Sequence, residues 1–162
     1  MMGREHIRAV LQLNQATIVG LYDSNPKSLA LGVAEVKRVG GKAPKQYTDL
    51  AALTDDSAVD AILICTPNFT HRTIFDSVKA SKKPIFLEKP MATTLDDALY
   101  LAQAALAYPA PIQLGMQYRY KSQYQLALSA LEKNELGPVH TMSLCEYRPP
   151  FLGKVGEWNK FS

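Results

Sequence analysis

Pro84-Ile85-Phe86-Leu87-Glu88-Lys89-Pro90 is the stretch from which the rest of the chain is read. Ile85, Phe86 and Leu87 form a short apolar run, the pattern of a strand buried on both faces of a parallel sheet. Two opposite charges and a proline follow. Pro90 disfavours the α conformation at Lys89, so no helix continues directly from the strand. The strand therefore stops with an ammonium group at its carboxyl edge, the edge at which open α/β sheets bind ligands. A lysine there can donate or accept a proton once burial or a neighbouring positive charge lowers its pKa. The plainer alternative is a solvated lysine at a strand end.

Working outward, the same strand–break–helix grammar recurs on both sides. Val59 to Cys65 is a near-continuous apolar run broken by Thr66-Pro67-Asn68, and a helix with Ile74 and Val78 inward is expected from about Thr70 to Ala80. Further back, Thr17 to Tyr22 reads as a strand ending in Asp23. Asn25 suits an N-cap and Pro26 the first helical position, and Leu29, Val33 and Val36 give that helix an apolar face closed by Gly40-Gly41. Lys45 to Tyr47 is a candidate short strand before a short helix capped by Thr48. Downstream, Thr94 and Asp97 resemble a capping pair, and Leu95, Ala98, Leu99, Ala102, Ala105 and Leu106 keep helical spacing. Pro111 to Met116 is the last strand of the series. Strands alternating with helices imply a parallel sheet covered on both faces. After Met116 the pattern changes: a helix from about Ser122 to Lys133 with Tyr124, Leu128 and Leu131 on one face, ended by Gly137, then a longer mixed strand from Val139 to Tyr147 ended by Arg148-Pro149-Pro150. This reads as the entry to a second domain with an open-faced sheet, giving domains at 1–117 and 118–162.

The bulk properties exclude several classes. An apolar share of 47% over 162 residues suits one globular domain with part of another. The formal charge is only +3, and the basic residues are dispersed, which argues against nucleic acid as a partner. Cys65 and Cys145 make no disulfide framework, so a reducing compartment is expected. Arg4, Glu5, His6 and Arg8 interrupt any leader-like apolar run, and no stretch is long enough for a membrane span, so a cytoplasmic location with no membrane partner is expected. His6, His71 and His140 lack neighbours at metal-ligand spacing, so no metal is expected.

Three groups of residues carry candidate chemistry. Gly3 heads an apparent helix in which Ile7, Val10 and Leu11 share a face, and Asp23 lies 20 residues later at a strand end. A dinucleotide-binding unit runs strand, G-x-G-x-x-G, helix, with an acid about 20 residues on. The match holds if Gly3 is the third glycine. The helix start would then face pyrophosphate, and Asp23 would accept bonds from ribose hydroxyls, favouring NAD over NADP. Asp23 could equally be a turn acid ahead of a capped helix. Thr66-Pro67-Asn68 with His71 forms a second strand-end group, with Asn68 or Thr70 as helix caps on the alternative reading. Tyr118, Arg119 and Tyr120 follow a third strand end, or are a patch at a domain boundary.

Met1-Met2-Gly3-Arg4-Glu5-His6-Ile7, Cys65-Thr66-Pro67-Asn68 with His71, Glu88-Lys89-Pro90 and Gly115-Met116-Gln117-Tyr118-Arg119 together resemble the glucose–fructose oxidoreductase / inositol dehydrogenase family (Gfo/Idh/MocA). Phe151-Leu152 and Glu157-Trp158-Asn159 extend the likeness. The resemblance implies a Rossmann domain binding NAD, with NADP as the variant, and a second α/β domain shaping a sugar, inositol or polyol pocket. It implies hydride transfer between a carbinol carbon and nicotinamide, with Lys89 assisting proton transfer. Thr66, Pro67 and Asn68 would line the cofactor, Glu88 would lie beside its ribose or nicotinamide, and His71 would support the turn. Tyr118, Arg119 and Trp158 would be cofactor or substrate contacts, and the complete protein would be a homo-oligomer. The family's first strand and first two glycines are absent, as is its second-domain histidine, for which His140 is no substitute. The expected sheet therefore lacks its first strand, which lies at the centre in the doubly wound order. The competing reading is a non-catalytic relative that binds a nucleotide or a partner protein.

Overall fold

The computed structural model describes residues 2–147, which divide into two compact units, one ending at Gly115 and one beginning at Met116. Trp158, the Arg148-Pro149-Pro150 stop and the Phe151-Leu152 and Glu157-Trp158-Asn159 segments lie outside the described residues. Among the described residues no helix is long and apolar enough to cross a membrane.

The first unit alternates helices and strands: α1 (Met2–Leu13), β1 (Gly20–Leu21), α2 (Pro26–Arg38), β2 (Lys45–Gln46), α3 (Leu50–Asp55), β3 (Ile62–Ile64), α4 (His71–Val78), β4 (Ile85–Leu87), α5 (Leu95–Ala107) and β5 (Ile112–Leu114). All strand pairs are parallel, but they form two sheets, β1–β2 and β3–β4–β5. No ladder joins β1 to β3, the position that the doubly wound order gives to the first strand. In the larger sheet Ile62, Ile85 and Ile112 are in register, as are Ile64, Leu87 and Leu114. Their side chains share one face and build the core with Phe75 and Val78 of α4 and Leu101 of α5. On the opposite face Leu63, Phe86 and Gln113 are in register.

The caps explain why the helices start where they do. Asn25 Oδ1 accepts the N–H groups of Lys27 and Ser28, with Pro26 at the first helical position, and Thr94 Oγ1 accepts from Asp97 N. After α2 the chain turns at Gly40, whose φ of +81° needs a residue without Cβ. The α1–α2 pair is tied by Glu35, which is 5% exposed and accepts from Arg8 at 2.6 Å and Arg38 at 2.5 Å. Those guanidinium groups, Arg8 first, hold the Glu35 carboxyl down at about 2.

Several expectations are corrected. The cap of α3 is Asp49, whose carboxylate accepts from Ala52 N. Thr48 instead donates to that carboxylate. The inward face of α5 carries Tyr100, Leu101 and Ala104, with Tyr108 packing just after its last turn, while Leu95, Leu99 and Leu106 are exposed. The helix is apolar nearly all round, so spacing alone could not choose between the two stripes. The strand expected at Thr17–Tyr22 shortens to Gly20–Leu21. In the second unit α6 (Ser122–Glu132) ends before Asn134, which takes the left-handed turn at φ 56°; Gly137 makes a separate one. Leu128 and Leu131 of α6 are exposed. Val139–Tyr147 is not a strand: no described segment pairs with it, and a strand exists only through its ladder.

Candidate active site at the carboxyl edge

Because β3, β4 and β5 are parallel and in register, their carboxyl ends lie at one edge of the sheet. Glu88 N donates to Ile64 O, and Gly115 N donates to Leu87 O, so Cys65, Glu88 and Gly115 continue the rows by one step. Thr66-Pro67-Asn68 and Lys89 follow immediately. The sequence-predicted groups around Thr66 and Lys89 are thus brought together by sheet register.

Two histidines brace this edge from opposite sides. His71 is 1% exposed, and its Nδ1 and Nε2 each lie 3.2 Å from a carbonyl oxygen, of Met91 and Thr66 respectively. It ties the β3–α4 turn to the loop after Lys89, and its ring faces main chain rather than the open edge. That is a supporting position. Within the same turn Thr70 Oγ1 donates to Pro67 O at 2.7 Å and lies 2.9 Å from Thr66 Oγ1, and Asn68 Oδ1 accepts from Phe69 N. Neither Asn68 nor Thr70 caps α4 through its side chain.

The second brace is one that sequence reasoning missed. His6, on α1, donates from Nε2 to Glu88 Oε1 at 2.6 Å and stands edge-on to Phe86, ring centroids 4.9 Å apart. Glu88 is 6% exposed, and its Oε2 accepts from Lys89 N at 3.0 Å. Burial, and then the Glu88 carboxylate, push the Cys65 thiol up to about 12, so Cys65 stays protonated and is no nucleophile. The available signal for His6 was its spacing: Gly3, His6 and Val10 recur at helical intervals beside Ile7, which is buried.

Lys89 itself is exposed, with no bond to its ammonium among the described residues; its peptide bond to Pro90 is cis. Burial of this lysine is therefore not supplied here. Gly3 lies in the opening turn of α1 near Cys65: a Cβ built on it would be 3.8 Å from Cys65 Cβ, an ordinary contact. Asp23 lies just beyond β1, exposed, with Oδ1 accepting from Asn25 N at 2.8 Å, which leaves Oδ2 for a ligand hydroxyl. The turn reading and the ribose reading of Asp23 are thus compatible.

In the second unit Tyr118 stacks on Tyr124, lies under Lys121 and donates from its hydroxyl to Glu146. Arg119 is exposed, and its carbonyl accepts from Gln125. Among the described residues no group of His, Cys, Asp and Glu could hold a metal ion.

Residues 1–116 match the oxidoreductase family with an NAD-binding Rossmann fold. The chain belongs to the Gfo/Idh/MocA family. Among its relatives, the inositol 2-dehydrogenase of Pseudomonas fluorescens is 28% identical over 94% of this chain and 45% of that protein. The glucose-6-phosphate 3-dehydrogenase of Bacillus subtilis is 28% identical over 85% of this chain and 37% of that protein. The solved myo-inositol dehydrogenase of Lactobacillus casei, in complex with NAD(H) and myo-inositol, superposes with a TM-score of 0.75 at 27% identity, covering 85% of this chain and 40% of its own. The chain thus spans less than half the length of these Gfo/Idh/MocA relatives. The donor set fits the family's cofactor: a helix N-terminus for pyrophosphate, a free carboxylate oxygen on Asp23 for ribose, and an amide, a carboxylate and an ammonium at the ends of β3 and β4.

Proposed function

We propose that this chain is the cofactor-binding and lysine-bearing part of an NAD-dependent dehydrogenase acting on a sugar, inositol or related polyol. The observation that carries the reading is Glu88–Lys89: a buried, doubly bonded carboxylate beside an exposed, unpaired ammonium at the ligand edge of a parallel sheet. Asp23 would bind the adenosine ribose and select NAD over NADP, α1 from Gly3 would face the pyrophosphate, and Thr66, Pro67 and Asn68 would line the cofactor. Glu88 would lie at the nicotinamide end, with His71 holding the loops that frame it. NAD, when bound, supplies the hydride acceptor. Lys89 in its amine form takes the proton of the reacting hydroxyl during oxidation, and its ammonium returns a proton in reduction. Tyr118, Arg119 and Trp158 are proposed substrate or cofactor contacts. The proposed division is a cofactor domain at 1–117 and the start of a substrate domain at 118–162, in a cytoplasmic homo-oligomer.

The test is NAD reduction by the protein with myo-inositol, glucose 6-phosphate and a panel of other polyols. Lys89→Ala lowers turnover by about 10²–10⁴-fold, the usual worth of a general acid–base group, while NADH affinity stays close to wild type. Unchanged turnover in that variant removes Lys89 from the chemistry. One observation favours a second reading, a nucleotide-binding relative that docks a partner: the exposed stripe of Leu95, Leu99 and Leu106 on α5. Tight NADH binding without turnover on any polyol would support that reading.

A further inference from the structure

The His6–Glu88 bond has no part in the proton transfer assigned to Lys89, yet it links α1 to the end of β4 and, through Glu88, to the main chain of the reacting lysine. The contacts run in series. The His6 imidazole donates to Glu88 Oε1 at 2.6 Å, and Glu88 Oε2 accepts the Lys89 N–H at 3.0 Å. Glu88 is buried, so its orientation depends on these partners and not on water. The imidazole is itself held by its edge-on contact with Phe86, the residue two before Glu88 in the strand-end sequence Phe86-Leu87-Glu88-Lys89. His6 also rides on α1, the helix whose opening turn at Gly3 is proposed above to face the pyrophosphate.

We propose that His6 is a positioning residue: it sets the Glu88 carboxylate, and through it the Lys89 backbone, against the nicotinamide end of NAD. The proposal rests on the NAD-dependent reading above. It makes a distinction that a merely structural histidine would not make. A residue that only held α1 on the sheet would affect every ligand that touches that helix, including the adenosine diphosphate part. A residue that orients Glu88 affects the nicotinamide end alone.

The experiment compares the dissociation constants of NADH and of ADP-ribose, which lacks the nicotinamide, for wild type, His6→Leu and His6→Gln in the protein that carries this chain. Leucine keeps apolar contact with Phe86 but donates nothing; glutamine carries an amide N–H with the reach of Nε2. The expected result is that His6→Leu weakens NADH by about 10–100-fold, the range for a lost hydrogen bond to a charged group, and leaves ADP-ribose unchanged. His6→Gln restores NADH binding close to wild type. If His6→Leu does not fold, His6→Asn makes the same test, because its shorter amide cannot span the distance to Oε1. Equal weakening of both ligands overturns the positioning role and leaves the NAD reading in place, as does a His6→Gln variant no better than His6→Leu. A wild type that binds neither ligand overturns the NAD reading itself, and this inference with it.

Discussion

Gly115 is the residue at which packing around the site can be tested most directly. A Cβ built there would lie 2.9 Å from Phe86 Cζ and 3.3 Å from Cε1, with Leu87 O at 3.4 Å. Carbon atoms pack at about 3.5–4.0 Å, so Gly115→Ala requires the ring to retreat by at least roughly 0.6 Å. Phe86 cannot turn freely, because His6 stands edge-on to it. Overpacking of this kind costs about 1–3 kcal/mol, and the loss of unfolded-state freedom on replacing glycine returns about 0.4–1 kcal/mol. The expected net destabilisation is about 1–2 kcal/mol, or roughly 0.5–1 M in a urea midpoint at an m-value near 2 kcal/mol/M. The assay is urea unfolding followed by far-ultraviolet circular dichroism, for Gly115→Ala in wild type and in Phe86→Leu, whose side chain has no atom at the Cζ position. In the Phe86→Leu background the alanine should be close to neutral. Gly3→Ala is the control, since its Cβ makes only an ordinary 3.8 Å contact. An unchanged midpoint in Gly115→Ala, or the same loss in both backgrounds, would refute the argument that the Phe86 ring is the fixed wall.

Other outcomes can be checked on the same protein. Leu101→Ala should cost about 2–5 kcal/mol as a buried truncation and Leu99→Ala, on the exposed stripe of α5, less than about 0.5 kcal/mol, both read from urea midpoints. Glu35 is held at about 2 against an ordinary 4.5. Between those values the unfolded chain binds the extra proton, so the stabilisation is complete above about pH 4.5 and is lost as pH falls towards about 2. Glu35→Gln should flatten the pH dependence of the urea midpoint in that window. A five-residue Val/Ile-rich strand ending in Gly-x-Gly, fused ahead of Met1, should raise the thermal midpoint and reduce self-association. Pairing with β1 and β3 would add on the order of ten ladder bonds worth roughly 1 kcal/mol each. No change in either property would refute the unpaired edges as its place of docking.

The parts of the fold that were legible in the sequence are those set by short-range chemistry. Ile85-Phe86-Leu87 and the run to Cys65 were legible as strands, although only one face is buried and Leu63 is exposed on the other, and Asn25-Pro26 and Thr94 with Asp97 state their caps within a few residues. The errors arise where two local solutions are equally good. Thr48 and Asp49 are neighbouring cap formers, and only the backbone geometry at Asp49, with its carboxylate on Ala52 N, separates them. On α5 both stripes are apolar, and what selects Leu101 is the shape of the core beneath it. Tyr108 fixes the choice by donating its hydroxyl to Lys83 O. Val139–Tyr147 has strand composition but no partner among the described residues, and composition does not make a ladder.

The site divides in the same way. Lys89 and Thr66-Pro67-Asn68 could be placed because a parallel sheet puts every strand's carboxyl end at one edge, whatever the loops do. The residues that hold them were illegible because each bond spans a distance that no local rule covers. His6 and Glu88 are 82 positions apart, and His71 and Met91 are 20 apart. The absence of residues at metal-ligand spacing around His6 says nothing about what it does; the informative feature is the helix face it shares with Gly3 and Val10. A helix that offers its N-terminus to a ligand must rest on the strands that end beside that ligand, so a polar side chain one turn in from the N-terminus sits over those strand ends. There it meets either solvent or the first charged residue after a strand. In this chain that residue is Glu88, whose carboxylate His6 reaches at 2.6 Å.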